Sequence, residues 1–175
     1  MKHYNFAERL HVLYDKAVKQ YAAGRRGADT YFTPDENTFL SANGLTAQHL
    51  YDYAEDDVGG GEPGWDKAVA IETVRRDYFL NVQAGNASGR VLDEAALPAK
   101  TAAVRGIEWL PRLIPKTKAK LRGELPPTLM YCCGGDRRFF KEHDINPAQF
   151  LSLVWRHEHD DDAIVDWVVR HKSKQ

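Results

Sequence analysis

The run Cys132-Cys133-Gly134-Gly135-Asp136-Arg137-Arg138 puts two thiols, two glycines, a carboxylate and two guanidinium groups into consecutive positions. Adjacent glycines let backbone N–H groups converge, and a helix starting behind them would turn its positive dipole end toward an anion. Arg137 and Arg138, joined by Arg112 and Lys116 from the preceding segment and by Tyr131, could complete a small-anion pocket. Cys132 and Arg138 also have the Cys-x5-Arg spacing of a phosphatase loop. There a thiolate attacks phosphorus, N–H groups cradle the oxygens and the arginine clamps them. Asp136 inside the loop would repel a phosphate, and Phe139 follows Arg138 where a hydroxyl residue is usual. A plainer alternative uses the glycines as a turn, Asp136 as a helix cap and a half-buried cysteine. The leading expectation is a binding or interaction module for a small anionic ligand or a protein partner. The runner-up is a small thiol-dependent enzyme with Cys133 or Cys132 as nucleophile and Asp136 beside it.

A second cluster, His157-Glu158-His159-Asp160-Asp161-Asp162, holds metal-ligand types. Two imidazoles at i and i+2 suit zinc or nickel only on an extended backbone, and no further Cys or His lies at a diagnostic spacing. The aspartates are explained by an acidic helix start. No metal or cofactor is therefore expected, with His157 and His159 as the weak candidates. Phosphate-binding P-loops, dinucleotide glycine clusters and serine elbows are absent from the sequence. Most of Trp65, Trp109, Trp155, Trp167 and the eight tyrosines sit at helical spacing with aliphatic neighbours and read as core.

Composition narrows the class further. The chain has 175 residues and a formal net charge of −1, which gives no overall pull toward nucleic acid or anionic lipid. Charge is uneven: residues 1–62 carry net −4 and residues 105–141 net +6. Without interleaved aromatics the basic stretch does not read as a nucleic-acid surface. The two cysteines are adjacent, which suits no ordinary disulfide. The N-terminal residues lack the apolar run of a signal peptide, and no stretch is long enough to span a bilayer. A soluble cytoplasmic protein without membrane contact is expected.

The elements that must position these residues are mainly helical. Phe6, Leu10, Leu13, Tyr14, Ala17 and Tyr21 predict a helix from Phe6 to Ala23. Thr30-Tyr31-Phe32 reads as extended, and Pro34-Asp35 opens a short helix ending at Asn43-Gly44. Further helices are predicted from Thr46 to about Asp57 and from Trp65 to about Val82. In the second half, Ile107 to Leu121 is helical but holds Pro111 and Pro115, so it starts or kinks at one of them. Thr128 to Cys132 reads as extended, followed by helices at about Asp136–His143, at Asn146–Arg156 and after Asp160-Asp161-Asp162.

The two halves overlay at an offset of about one hundred residues. Leu10, Leu13, Lys16, Tyr31 and Phe39 fall on Leu110, Leu113, Lys116, Tyr131 and Phe139. That many identities is close to chance, but the same devices recur at the same places. Thr46 and Asn146 are N-cap types, each preceded by an apolar residue (Leu45, Ile145) that can pair with Leu50 or Phe150 as a hydrophobic staple. The expected architecture is two similar helical units, 1–83 and 106–175, joined by a linker over 84–105 and packed as one compact domain. Extended structure is expected only near Tyr31 and Tyr131.

The second half resembles a bacterial family known as a domain of unknown function, DUF5069. The likeness rests on Leu97-Pro98-Ala99-Lys100, Gly106-Ile107-Glu108-Trp109-Leu110-Pro111-Arg112, Lys116 and Gly123. It continues through Tyr131-Cys132-Cys133-Gly134-Gly135-Asp136-Arg137, Phe150-Leu151 and Asp166-Trp167-Val168, and covers roughly residues 97–171. Where other branches carry an aspartate in the first helix and a proline in the loop, this chain has Pro115 and Gly134. The missing letters stand in the first half as Asp15 and Pro34. The resemblance implies no known activity.

Overall fold

A computed structural model describes residues 4–172, and its contacts divide the chain into two compact units, residues 1–87 and 88–175. Helix dominates both. Among the described residues are eight α-helices and one two-stranded sheet.

The first unit holds α1 (Phe6–Ala22), α2 (Pro34–Ala42), α3 (Ala47–Gly60) and α4 (Trp65–Asn81). α1 buries Phe6, Leu10, Leu13, Tyr14 and Ala17, a stripe at helical spacing. α2 starts on a complete capping box: Glu36 N–H donates to Thr33 Oγ1 at 3.3 Å and Thr33 N–H donates to Glu36 Oε2 at 2.7 Å. The helix stops at Gly44, whose φ of +75° lets Leu45 N–H return to the Leu40 carbonyl at 2.9 Å. α4 contributes Ile71, Tyr78 and Phe79 to the core, together with buried Glu72, Arg75 and Arg76. Tyr53 Oη donates to Glu72 at 2.8 Å, and Arg76 Nε donates to Asn43 Oδ1 at 2.6 Å. Burying such charges is tolerable only with partners of this kind.

The second unit holds β1 (Ala103–Val104), β2 (Ile107–Glu108), α5 (Leu110–Arg122), α6 (Gly134–Glu142), α7 (Pro147–Arg156) and α8 (Asp161–Lys172). Leu110, Leu113, Leu121, Phe139, Phe150, Leu153 and Val168 form its core, all within 3% of full burial. α7 begins on Asn146, whose side chain accepts from the N–H groups of Ala148 and Gln149. α8 begins after Asp160, which accepts from Ala163 N–H at 3.0 Å.

Element positions agree between the units to the residue in two places. α2 spans 34–42 and α6 spans 134–142; α3 begins at 47 and α7 at 147. The turns between them match as well, since Asn43 Nδ2 donates to the Phe39 carbonyl and His143 Nδ1 lies 3.0 Å from the Phe139 carbonyl.

Several expectations are corrected. Tyr31 is not extended: Ala28–Thr30 forms a 3-10 turn and Tyr31 continues it at φ −82°, ψ −32°. Among the described residues Thr30, Tyr31 and Phe32 have no strand partner, so their β-propensity goes unused. Thr128–Cys132 is a turn rather than a strand, with Cys132 at φ +68°. The sheet lies instead at Ala103–Glu108, where Arg105 (φ +50°) and Gly106 (φ +75°) make the two-residue turn that a hairpin favours. The hairpin takes Ile107 out of the helix, and α5 starts at Leu110 with Pro111 in its first turn, in keeping with a start at one of the two prolines, and with Pro115 inside. Thr46 occupies the N-cap of α3 but its side chain makes no capping bond. Of the segment 84–105 read as a linker, residues 88–105 belong to the second unit. Leu92 N–H donates to the Glu124 carbonyl at 2.7 Å and Ser88 Oγ donates to the Glu124 carboxylate.

Candidate functional site

Asp136 gathers the end of the loop between α5 and α6 onto the first turn of α6. It stands third in α6, not at its N-cap; Cys133 holds that position and makes no side-chain capping bond. The Asp136 carboxylate is fully buried and accepts three hydrogen bonds. They come from Lys116 Nζ at 2.7 Å, Trp109 Nε1 at 3.0 Å and the Cys132 N–H at 2.9 Å. Lys116, only 2% exposed at its side chain, also donates to Cys133 Sγ at 3.2 Å. One buried ion pair thus ties the start of α5, the middle of α5 and the start of α6 together.

Two backbone outliers converge on this carboxylate. Trp109 (φ +69°) and Cys132 (φ +68°) both lie in the left-handed region that side chains disfavour, and both donate to Asp136. Gly135 completes the geometry. A Cβ there would stand 2.5 Å from the Trp109 ring, so only glycine lets the indole lie against α6.

The other residues named from sequence are placed as follows. Arg137 Nη1 donates to the Cys132 carbonyl at 2.8 Å and so closes its own loop. Arg112 Nη1 donates to the Pro98 carbonyl at 3.0 Å and its other nitrogen approaches Glu94 at 3.7 Å. Tyr131 is buried and donates to the Pro147 carbonyl at 2.8 Å; burial, then the nearby Cys132 and Asp136, push its phenol well above its ordinary value. The structure thus brings Lys116, Cys133 and Asp136 together, while Arg112 and Tyr131 serve neighbouring contacts. Cys132 is fully buried, which leaves no approach for a phosphoryl group along the Cys-x5-Arg loop. His157 ends α7 and His159 lies in the turn after it, where Glu158 pairs with Arg122 at 2.6 Å. Among the described residues no group of three or more His, Cys, Asp or Glu side chains is placed to hold a metal.

An open cleft of about 520 Å³ lies on the outer side of this network. Trp109, Gly135, Phe139 and His143 line it, and Lys100, Glu108, Arg138 and Glu142 stand exposed around it. Among the described residues, these four charged side chains form no ion pair or hydrogen bond with one another. Neither cysteine lines the cleft. Sequence reasoning missed Lys100 and Trp109 as lining residues. Trp109 reads as core in sequence, and Lys100 lies in the segment that reads as a linker.

The first unit has a smaller cleft of about 260 Å³ in the equivalent place. Phe6, Arg9, Asp35, Thr38, Phe39, Ala42 and Asn43 line it, each one hundred residues before a residue of the larger cleft. Its chemistry differs. Thr38 and Ala42 stand where Arg138 and Glu142 do, and the Arg9 guanidinium lies over the Phe39 ring at 4.1 Å.

The ion pair behind the cleft also recurs. Lys16 Nζ meets Glu36 Oε2 at 2.6 Å, one hundred residues before Lys116 and Asp136, but both side chains remain partly in water. Partial burial raises the Glu36 carboxyl, yet the hydrogen bonds from Lys16 and Thr33 outweigh it and hold the group below its ordinary 4.5. Such a carboxylate contributes stability above its unfolded value and loses it as pH falls through its depressed folded value. Acid unfolding of the wild type should therefore lose this contribution below about pH 4.5, whereas Glu36→Gln should flatten that part of the curve. Stability measured by urea titration at several pH values checks this; parallel curves would refute it.

Residues 96–175 match the model of a family described as Domain of unknown function (DUF5069), a span that lies within the second unit. No curated protein and no solved structure matches the chain. Among the described residues no helix is long and apolar enough to cross a membrane.

Proposed function

We propose that the protein is a binding module whose second unit takes a small monoanion in the cleft beside the Cys-Gly-Gly-Asp-Arg loop. The observation that carries this reading is the cleft itself: about 520 Å³, with Lys100 and Arg138 at its edge and a rigid, hydrogen-bonded wall behind. Asp136, Lys116 and Cys133 act as that wall, and the direct contacts fall to Arg138, Lys100 and Trp109. Glu108 and Glu142 at the same cleft favour a singly charged ligand, since a polyanion would meet two carboxylates. A carboxylate carried by a molecule with a flat apolar or cationic part suits the set.

The paired clefts, the paired ion pairs and the shared element positions support a further part of this reading. The units are copies of one ancestral helical unit, in which the second kept a charged cleft and the first lost its charges at 38 and 42.

Thermal melting tests the binding reading. A ligand that binds only the folded state raises the melting temperature once its concentration exceeds its dissociation constant. Monocarboxylates and amino acids should raise it, while sulfate and phosphate should act weakly. The shift should vanish in Arg138→Ala and Lys100→Ala, which disturb no internal hydrogen bond. If no compound shifts the wild type, or the shift survives in both variants, the reading fails.

A further inference from the structure

We propose that Lys116 Nζ and Cys133 Sγ are the two ends of an oxidation-dependent covalent cross-link, an N–S bond formed in the presence of a peroxide. The geometry supplies the reacting pair: the nitrogen lies 3.2 Å from the sulfur and is held there by Asp136 at 2.7 Å. The Lys116 side chain is 2% exposed, so water competes little for the sulfur from that side. Cys133 itself is half-buried, within reach of a small oxidant.

The first unit is an internal control for what this turn needs. There Thr33 caps α2 through its hydroxyl, Glu36 returns the bond, and Lys16 pairs with Glu36 partly in water. At the matching position Cys133 gives up the capping bond, and its sulfur accepts from a buried ammonium instead. A helix start gains from a hydroxyl there and loses by a thiol. Relative to the first unit, this turn thus adds two things that a helix start can be built without: the thiol, and the burial of the matching amine against it.

The chemistry balances with one peroxide. Cys133 Sγ attacks a peroxide oxygen; the S–O bond forms, the O–O bond breaks, and the thiol proton leaves in water, giving a sulfenic acid. Lys116 passes one ammonium proton to Asp136, and the freed lone pair attacks Sγ. The N–S bond forms, the S–O bond breaks, and hydroxide departs with a second nitrogen proton as water. Sulfur has lost two electrons and the peroxide has become two waters. Two thiol equivalents reverse the step, ending as a disulfide. The cross-link removes the positive charge facing Asp136, so the oxidation state of one sulfur reaches Trp109 and the cleft wall.

Intact and peptide mass spectrometry of the folded full chain after hydrogen peroxide tests this. The expected product has lost two hydrogens, resists tryptic cleavage after Lys116, and yields one branched peptide joining the Lys116 and Cys133 segments. Dithiothreitol should restore it. Lys116→Arg and Cys133→Ser should abolish the branched peptide, Cys132→Ala should keep it, and the chain unfolded in urea should not form it. A Cys132–Cys133 disulfide, which has the same mass change but a linear peptide, overturns the proposal. So does oxidation of Cys133 to sulfinic acid with Lys116 still cleavable, or no change at all.

Discussion

Replacing Asp136 with alanine should destabilise the second unit by about 3–5 kcal/mol, the usual cost of breaking a buried ion pair from one side. Three consequences act together. Lys116 is left as a buried charge without its carboxylate, and the Trp109 indole N–H and the Cys132 N–H lose their acceptor. An orphaned buried donor costs about 1–3 kcal/mol, more when charged, but the costs will not add because half-buried Trp109 can turn to water. Lys116→Met should cost less than Asp136→Ala, since the carboxylate keeps two N–H donors. The double variant Lys116→Met with Asp136→Leu should recover much of the loss, because paired apolar replacements of buried ion pairs are often near neutral. Urea unfolding of the four proteins checks the order. An Asp136→Ala variant within about 1 kcal/mol of wild type would show the carboxylate to be a bystander.

The second large effect is expected at Gly135, where two opposing contributions have known sizes. Alanine inside a helix is favoured over glycine by about 0.5–1 kcal/mol. Against this, a Cβ at Gly135 would lie 2.5–2.6 Å from two carbons of the Trp109 ring. Overpacking costs about 1–3 kcal/mol, and a displaced indole also forfeits a hydrogen bond to a charged group, about 1.5–3 kcal/mol. The clash wins, and Gly135→Ala should lose roughly 2–4 kcal/mol. Gly134→Ala is the matched control. Its Cβ would meet only the Arg137 guanidinium end at 3.8 Å, so the same substitution one residue earlier should be neutral or slightly stabilising. Thermal melts of both variants settle it; equal shifts would mean that the indole does not occupy this position in solution.

The helices were legible in the sequence because apolar spacing carries them. The stripe of α1 and the buried apolar residues before α3 and α7, Leu45 and Ile145, needed nothing beyond local pattern. What escaped depends on partners far along the chain. Ala103–Val104 reads as part of a linker because two residues carry no periodic pattern, and only pairing with Ile107–Glu108 makes it a strand. Asp136 reads as a cap, the role its neighbourhood suggests, until Lys116 and Trp109 arrive from 20 and 27 residues away. In sequence Lys116 and Cys133 read as candidates toward an outside anion. The anion that Lys116 meets is the internal Asp136, with Cys133 Sγ accepting from the same ammonium, and the open charged cleft belongs partly to residues that carried no motif.

The matching spans of α2 and α6 also bear on where the chain can grow. From Tyr31 to Leu50, and from Tyr131 to Phe150, helix start, turn and buried apolar positions recur without one residue gained or lost. The slack lies just beyond, for α3 runs to Gly60 over 14 residues while α7 ends at Arg156 after 10. The chain therefore has a fixed metre in one stretch and free verse in the next. An epitope tag belongs in the turn after Arg156, not in any loop between Tyr131 and Phe150.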